Sequence, residues 1–377
     1  MGATRGGRGW FRFLACTVAL LPAILMGLST AGETRRTERS REFRKRPQPE
    51  FVADGVEVYR LLPPDAIAAI DEPEMIPAAE VAGIMSDDEP VLGVSDGAIA
   101  RAWSIWMLDA HEVVNDRLGD TPIAATWCPL ANTGVVFERI VDGAETTFGV
   151  TGALWRDSLV LFDRKTLTYW SQVAGLAIHG ARRGAALVEI PSVTTTWGAW
   201  KTLHPETLVL RPDLSSRDGS PFAQYSKDPG RFGLTRTIKP DRRLPGKKLV
   251  LGVKDGEAAT AIPLETLADR LVVQEQMGQT PVAIVSVARR GGFGYDRRVT
   301  SGTLDFEVDP QGGLRDRQTG STWDPESGRA IGGALAGERL RRLTSRSAFW
   351  FTWASFHPAT GVAGQHDLLV KGEPSAR

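Results

Sequence analysis

The chain has 377 residues and carries 45 basic and 45 acidic side chains, so its formal net charge at pH 7 is zero. A balanced chain of this kind has no overall electrostatic attraction for nucleic acid, so no nucleic-acid partner is expected. Its two cysteines, Cys16 and Cys128, exclude a framework of several disulfides.

The N-terminal segment, residues 1–31, is predicted to be an export signal. Three arginines precede an apolar stretch from Phe13 to Leu28, and Ser29-Thr30-Ala31 fits a small-x-small cleavage site. The stretch is short for a bilayer span and contains Pro22, so we expect no membrane span in the mature form; an uncleaved N-terminal anchor is the alternative. The predicted location is therefore extracytoplasmic, either periplasmic or secreted. Removing the signal leaves Cys128 as the only cysteine.

The rest of the chain repeats itself at two nearly constant offsets. Val91-Leu92-Gly93-Val94 returns as Val250-Leu251-Gly252-Val253. At a second offset, four residues, Trp170, Trp197, Trp200 and His204, return as Trp323, Trp350, Trp353 and His357. Such matches predict a tandem duplication with pseudo-symmetry. Residues that both copies keep are expected to be structural, and a reactive residue in one copy only is a better candidate for function.

The duplication divides the chain into segments. We predict a basic, disordered tail over 32–50, repeat one over 51–210, a linker over 211–248 that is rich in Pro, Gly and charged residues, a degenerate repeat two over 249–362 and a C-terminal tail over 363–377. Repeat one is expected to carry any functional site.

Within a repeat, the pattern predicts a β-rich α+β fold in which mainly antiparallel strands are combined with one short helix. The predicted strands of repeat one lie at 91–94, 99–103, 122–127, 134–141, 146–150, 158–163, 167–171 and 187–190. A helix is predicted over 105–117, because apolar residues recur there at three to five positions. Repeat two is predicted to have strands at 248–253, 281–288, 303–308 and 347–352 and a helix over 263–272.

The densest group of chemically active side chains lies between His111 and Asp116. On the predicted helix, His111 and Asn115 share one face, and Glu112 and Asp116 share the adjacent face. A histidine beside carboxylates can act as a base or as a metal ligand. The alternative is a set of surface pairs at a helix end.

A second candidate is Cys128, which follows an apolar strand and precedes Pro129. Loops at strand ends commonly display reactive groups, and a thiol with a lowered pKa is a nucleophile. The alternative is a small, buried hydrophobic residue. Repeat two lacks both the histidine and the cysteine in the corresponding stretches.

Three further residues are candidates for ligand binding. Arg156 and Asp157 lie in a turn without a close equivalent in repeat two, and His179 corresponds to Gly332. A surface ion pair is the alternative for Arg156 and Asp157. His204 and His357 stand in both copies beside Trp and Pro, and we expect them to be structural.

The stretch from Val91 to Leu210 resembles the bacterial and archaeal family catalogued as domain of unknown function 3179. The resemblance rests on a set of short motifs: His-Glu-Val-Val-Asn-Asp (111–116), Cys-Pro-Leu (128–130), Phe-Gly-Val-x-Gly (148–152), Asp-Ser-Leu-Val (157–160), Asp-Arg-x-Thr (163–166), Trp-Ser-Gln (170–172) and Trp-x-x-x-His-Pro (200–205). It implies an exported protein and supplies no established activity. The family pattern has a second cysteine where this chain has Ala131, so a two-cysteine redox or metal role cannot operate here.

Three hypotheses of function follow. The leading one is an exported binding or accessory protein with a polar Cys/His/carboxylate site in repeat one that takes a metal ion or a small polar ligand. The second is an enzyme in which Cys128 is the nucleophile and His111 its base, with Asn115 or Asp116 orienting the imidazole. The third is a structural module of the cell envelope without a reactive site. The sequence indicates no particular cofactor and no partner protein.

Overall fold

The structure, a computed structural model, describes residues 48–213, 220, 222–235, 237–239, 241–287 and 291–363. The predicted export signal, most of the basic tail and nearly all of the C-terminal tail lie outside these residues. Among the described helices, none is long and apolar enough to span a bilayer.

Seventeen short strands lie in the first half of the protein, by which we mean residues 51–210. In chain order they are β1 (Phe51–Ala53), β2 (Val56–Arg60), β3 (Met75–Pro77), β4 (Pro90–Ser95), β5 (Ala100–Ser104), β6 (Val113–Leu118), β7 (Thr121–Cys128), β8 (Thr133–Glu138), β9 (Ile140–Val141), β10 (Ala144–Glu145), β11 (Phe148–Trp155), β12 (Ser158–Asp163), β13 (Tyr169–Ser171), β14 (Leu176–His179), β15 (Glu189–Ile190), β16 (Ser192–Thr196) and β17 (Leu208–Leu210).

The second half, residues 249–362, is also built mainly from strands. They are β18 (Leu249–Asp255), β19 (Ala258–Pro263), β20 (Val272–Met277), β21 (Thr280–Val287), β22 (Gly291–Asp296), β23 (Arg298–Val299), β24 (Gly302–Thr303), β25 (Phe306–Val308), β26 (Leu314–Asp316), β27 (Thr322–Trp323), β28 (Ala330–Gly332), β29 (Arg341–Phe349) and β30 (Gly361–Val362).

The helices are few and short. They are α1 (Ile105–His111), α2 (Trp197–Leu203), α3 (Ala223–Lys227), α4 (Leu264–Asp269) and α5 (Trp350–Phe356), together with a 3₁₀ turn at Ala78–Val81. The prediction of a β-rich fold with few helices is therefore confirmed.

Strand order is nearly the same in the two halves. The second half has one sheet in the order β20-β21-β22-β29-β18-β19-β30. The first half has β6-β7-β8-β15 and β16-β4-β5-β17-β3, with β15 and β16 consecutive in the chain. Pro191 separates β15 from β16, because proline has no N–H to donate to a strand neighbour. In both halves the strand after the tryptophan-rich helix, β17 or β30, pairs in parallel with β5 or β19.

The predicted helix over 105–117 was wrong in its second part. Helix α1 ends at His111, since Glu112 takes a left-handed conformation with φ of 57°. Val113 then starts β6, which pairs antiparallel with β7 from Val113↔Thr126 to Leu118↔Thr121. The β-branched Val113 and Val114 favour the extended form, and tertiary pairing decides the outcome. The helix predicted over 263–272 corresponds to α4, which ends earlier, at Asp269. Trp350 was predicted to lie in a strand over 347–352, but it starts α5.

Tryptophans anchor equivalent places in the two halves. The indole N–H of Trp170 donates to Asp163 and that of Trp323 to Asp316, both at 3.0 Å. Two further tryptophans, Trp200 and Trp353, donate to Thr207 and Thr360 at 3.0 and 2.9 Å. These rings are buried and their N–H groups are satisfied, so the residues that both halves keep act in packing.

Two hydrophobic cores contain side chains from both halves. In one, Trp197 and Trp200 of α2 share a cluster with Val285, Phe293 and Trp323 of the second half. In the other, Phe349 and Phe351 at the start of α5 share a cluster with Cys128, Phe137 and Trp170 of the first half. Each half therefore completes a core of the other.

The close approach of each tryptophan to a glycine of the neighbouring strand gives a test of this packing. A Cβ atom added at Gly93 would lie 2.5 Å from Cε3 of Trp200. We expect Gly93→Ala to lower the free energy of unfolding by about 1–3 kcal/mol through overpacking, measured by urea denaturation. Gly230→Ala is the control, because its added Cβ would have no contact closer than 3.6 Å. Equal stability of the two variants would contradict the close packing.

Candidate functional site

The candidate motif begins at the C-terminal end of α1, where the chain turns into β6. His111 is the last residue of the helix, and its Nδ1 lies 2.7 Å from the carbonyl oxygen of Ala68. Glu112 closes the helix, and its backbone N–H donates to the carbonyl of Leu108. Because Glu112 is not glycine, its φ of 57° is a strained conformation that the surrounding structure must hold in place.

Asn115 lies on β6 and acts as a strut between strands. Its amide donates to the carbonyl of Phe148 at 2.9 Å and accepts from the N–H of Phe148 at 2.9 Å. In the second half, Gln274 makes the same two bonds with the backbone of Phe306, at 3.1 and 2.8 Å. The role of Asn115 is thus shared by both halves, and the residue does not share a helix face with His111 as predicted.

Asp116 points to the opposite side of β6, because successive residues of a strand alternate. Its carboxylate lies 3.9 Å from Arg101 and accepts from the backbone N–H of Arg117 at 2.7 Å. Burial raises the pKa of Asp116, while Arg117 and Arg101 oppose that rise. On the predicted helix, Asn115 shared a face with His111, and Asp116 shared the adjacent face with Glu112. In the structure, Asn115 and Asp116 instead lie on opposite sides of strand β6.

Cys128 is the last residue of β7 and only 1 % exposed. Its Sγ accepts a hydrogen bond from the N–H of Leu159 at 3.4 Å. Burial, and then the charge of Glu112, raise the pKa of the thiol to about 12, so it is protonated at neutral pH. In the second half, Val287 ends β21 at the corresponding place and is also buried.

Glu112 is the most unusual group of the motif. Its side chain is buried, with 8 % of the residue exposed, and no described residue donates a hydrogen bond to its carboxylate. Burial, and then the charge of Asp109, raise the pKa of Glu112 to about 8. A carboxyl group with this pKa is mostly protonated at pH 7 and half-protonated near pH 8, and such shifted groups often move protons or bind ligands.

Asp109 and Trp127 belong to this place, although the sequence analysis did not select them. Asp109 accepts from the indole N–H of Trp127 at 2.8 Å, and burial raises the pKa of its carboxyl. Asp109 lies three residues before Glu112 on α1, so helical spacing could have placed the two carboxyls together. The spacing of Asp109 and Glu112 in the sequence could therefore have indicated a pair of carboxyl groups.

Arg156 and Asp157 lie in the turn between β11 and β12, both with positive φ. Arg156 donates to the carbonyl of Ser355 at 2.5 Å and its guanidinium lies 5.0 Å from the ring centroid of Trp155. Arg156 therefore reaches from the first half to the end of α5.

Asp157 holds down part of the predicted linker, residues 222–235, which we call the strap. Its carboxylate is buried and accepts from the N–H groups of Leu234 and Thr235, both at 2.7 Å, and from the hydroxyl of Thr235 at 2.8 Å. Tyr225 of the strap donates to the carbonyl of Leu130, two residues after Cys128. The carboxylate of Asp157 therefore binds the strap and does not face solvent.

His179 ends β14 and is exposed. Its ring centroid lies 4.5 Å from that of Phe51. No other candidate residue contacts it among the described hydrogen bonds and ring pairs, so the structure brings together Glu112 and Cys128 with Asp109 and leaves His179 apart.

A metal centre was one of the ligand classes considered for this site. Within residues 48–363, gaps excepted, no three His, Cys, Asp or Glu side chains are grouped to hold a metal ion. The grouping of one thiol with two carboxyls at α1 does not meet that requirement.

The comparisons with known proteins agree with the motifs quoted above. The family described as "Protein of unknown function (DUF3179)" matches residues 64–360, a range that includes most of both halves. No curated protein and no solved structure matches the chain.

The burial of Cys128 predicts that iodoacetamide reacts with it slowly at pH 7 in the native protein and fast after unfolding, because the reactive form is the thiolate. We expect Cys128→Val to change the free energy of unfolding by less than about 1.5 kcal/mol, since Val287 fills the corresponding place. Mass spectrometry of the alkylated protein and urea denaturation check the two points. Fast alkylation of the native protein would instead support a nucleophilic Cys128.

The anchoring of the strap predicts a second outcome. Asp157→Asn weakens three hydrogen bonds to a buried carboxylate, so we expect it to lower the free energy of unfolding by about 1–3 kcal/mol and to speed proteolytic cleavage within the strap. Asp120→Asn, at an exposed turn, is the control. Unchanged cleavage in Asp157→Asn would show that other contacts hold the strap.

Proposed function

The chain belongs to the DUF3179 family, and we propose that it is an exported binding or accessory protein whose polar site centres on Glu112 in the first half. The predicted signal at residues 1–31 supports export. The state of Glu112 is the observation that carries the proposal: a buried carboxyl in a strained backbone, without a hydrogen-bond donor in the described part of the chain.

Such a group costs stability unless something compensates it. Burial raises the pKa of Glu112, which means that its ionised form is destabilised there, and left-handed non-glycine residues cost about 1–3 kcal/mol and are concentrated at functional sites. The corresponding position in the second half is Leu271, so the fold itself does not need a carboxyl there. This contrast favours a role in function.

The neighbours of Glu112 favour a small cationic or hydrogen-bond-donating ligand. Asp109 is partly exposed and its carboxyl raises the pKa of Glu112 by repulsion. A cation near both groups would relieve this repulsion and stabilise the ionised form. A small amine fits this chemistry better than a metal ion, which requires more protein ligands than this pair of carboxyls supplies.

The structural module is the second candidate, because most of the predicted site residues make internal contacts. Asn115 bridges two strands, Arg156 reaches α5 and Asp157 fixes the strap. The enzyme hypothesis needs an accessible, ionisable thiol, and the pKa of Cys128 of about 12 disfavours it.

We also propose that the two halves descend from one duplicated unit. The similar strand order, the paired Trp contacts and the shared roles of Asn115 and Gln274 support this origin. The first half would then have gained, or kept, the polar groups at α1 that the second half lacks.

The proposal is tested by the pH dependence of stability. Because the pKa of Glu112 is raised from 4.5 to about 8 in the folded state, folding keeps the proton that the unfolded chain releases. Stability from this group is therefore complete below pH 4.5 and falls as pH rises to about 8, by about 1.4 kcal/mol for each pH unit. We expect Glu112→Gln to remove this fall, measured by urea denaturation between pH 5 and pH 9.

The exposed Glu257→Gln is the matched control and should keep the wild-type profile. Binding is tested by titrating the protein with ethylammonium chloride and, separately, with zinc chloride, while the fluorescence of Trp127 and its neighbours is followed. Saturation by ethylammonium with a Kd below about 1 mM in wild type and Glu257→Gln, lost in Glu112→Gln, supports the amine site, whereas saturation by zinc alone contradicts it. Identical titrations of all three proteins, or no saturation by either cation, would overturn it.

A further inference from the structure

A second place with unused polar chemistry lies at the seam where the two halves meet. A cavity of about 160 Å³ is lined there by Glu189 and Pro191 of the first half and by Phe293 and residues 342–345 of the second half. It is independent of the Glu112 site, whose residues do not line it.

One face of the second-half sheet supplies a row of cations to this seam. Arg342, Thr344 and Arg346 occupy alternate positions of β29, so they lie on the same face of the sheet. Lys254 on β18 pairs directly with Thr344 and lies on that face too. The guanidinium of Arg342 lies 4.1 Å from the ring centroid of Phe293, and its Nη2 donates to the hydroxyl of Tyr295 at 3.3 Å and to the carbonyl of Glu326. These contacts hold the side chain at the cavity wall.

The positive charge in this row exceeds the negative charge. Glu189 forms an ion pair with Arg346 at 2.5 Å, whereas Lys254 makes no hydrogen bond or ion pair with any described residue. Arg346 is only 7 % exposed, and its Nε is buried without a hydrogen-bond partner. Arg346 does not line the cavity, and its other nitrogens donate to Val173 and Glu189, so it adds positive charge near the cavity and no ligand contact.

The pKa values of two neighbouring groups indicate the same excess of positive charge. Burial, then Lys254, Arg346 and Arg156, lower the pKa of His357 to about 4. Burial raises the pKa of Glu189, against the effect of Arg346 and Lys254. The carboxylate of Glu189 therefore faces Arg346 and Lys254 across the seam, and Arg156 adds a third cation near His357.

The fold does not require these cations. At the offsets of the repeat, Arg342, Arg346 and Lys254 correspond to Glu189, Val193 and Ser95 in the first half. The first half forms the same strands without a positive side chain at any of these positions. The cationic row is therefore a feature of the second half that serves something other than sheet formation.

From this arrangement we propose that the seam cavity binds a small oxyanion, a phosphate or a short carboxylate, through Arg342 of its wall and through Lys254, which lies beside Thr344 on the neighbouring strand. Planar guanidinium and point-like ammonium groups are the usual ligands of such anions in proteins. The cavity volume suits an anion of a few heavy atoms, and Thr344, which lines the cavity with Arg342, offers a hydroxyl.

The test is isothermal titration of the mature protein with sodium phosphate and, separately, with sodium succinate at constant ionic strength, since salt screens such binding. Saturation by phosphate, by succinate or by both supports the site, and the pattern identifies which oxyanion it prefers. Lys254→Gln should weaken the affinity at least about tenfold. Lys165→Gln, an exposed lysine of the first half, is the matched control and should leave the affinity unchanged.

Two further variants separate binding from folding. Arg342→Gln should also weaken the affinity, provided that circular dichroism shows it folded. Glu189→Gln should tighten binding several-fold, because it removes the one carboxylate that lines the cavity. Equal affinity of wild type and Lys254→Gln, or no saturation by either anion, would overturn the proposal.

Discussion

The reciprocal completion of two hydrophobic cores is the constraint on which the rest of the structure depends. Trp197 and Trp200 of the first half are packed with second-half strands, and Phe349 and Phe351 of the second half are packed with first-half strands. Apolar area buried in this way is the main source of stability in a protein whose described residues contain one free cysteine and no disulfide. Each half thus buries part of its apolar surface against the other.

This sharing decides the chemistry of the candidate residues. The N–H of Phe349 donates to the carbonyl of Ala131, so the second half lies directly against the loop that follows Cys128. Tyr225 of the strap donates a hydrogen bond to the carbonyl of Leu130, and Asp157 holds the strap in place. Cys128 is therefore enclosed by segments far away in the sequence, and enclosure is what keeps its thiol protonated.

Two sites remain where polar groups exceed the needs of the fold. At α1, Glu112 and Asp109 bring carboxyls together in the first half, and at the seam Lys254 and Arg342 bring cations together in the second half. In both places the other half has residues of a different charge at the corresponding positions. In each place, one half thus carries charges of one sign that the corresponding positions of the other half lack.

The sequence by itself determined the β-rich class, most strand positions and the family, because alternation, turn residues and short motifs are local signals. It also predicted that the repeated tryptophans are structural. It placed α1 too far along the chain, since the left-handed turn at Glu112 and the pairing of β6 with β7 depend on the folded neighbours. Only the tertiary structure decided that Asn115, Arg156 and Asp157 make internal contacts, that Glu112 and Cys128 are buried, and that the seam gathers cations. The physical reason is that burial, hydrogen-bond partners and charge come from residues distant in the chain, which no local pattern encodes.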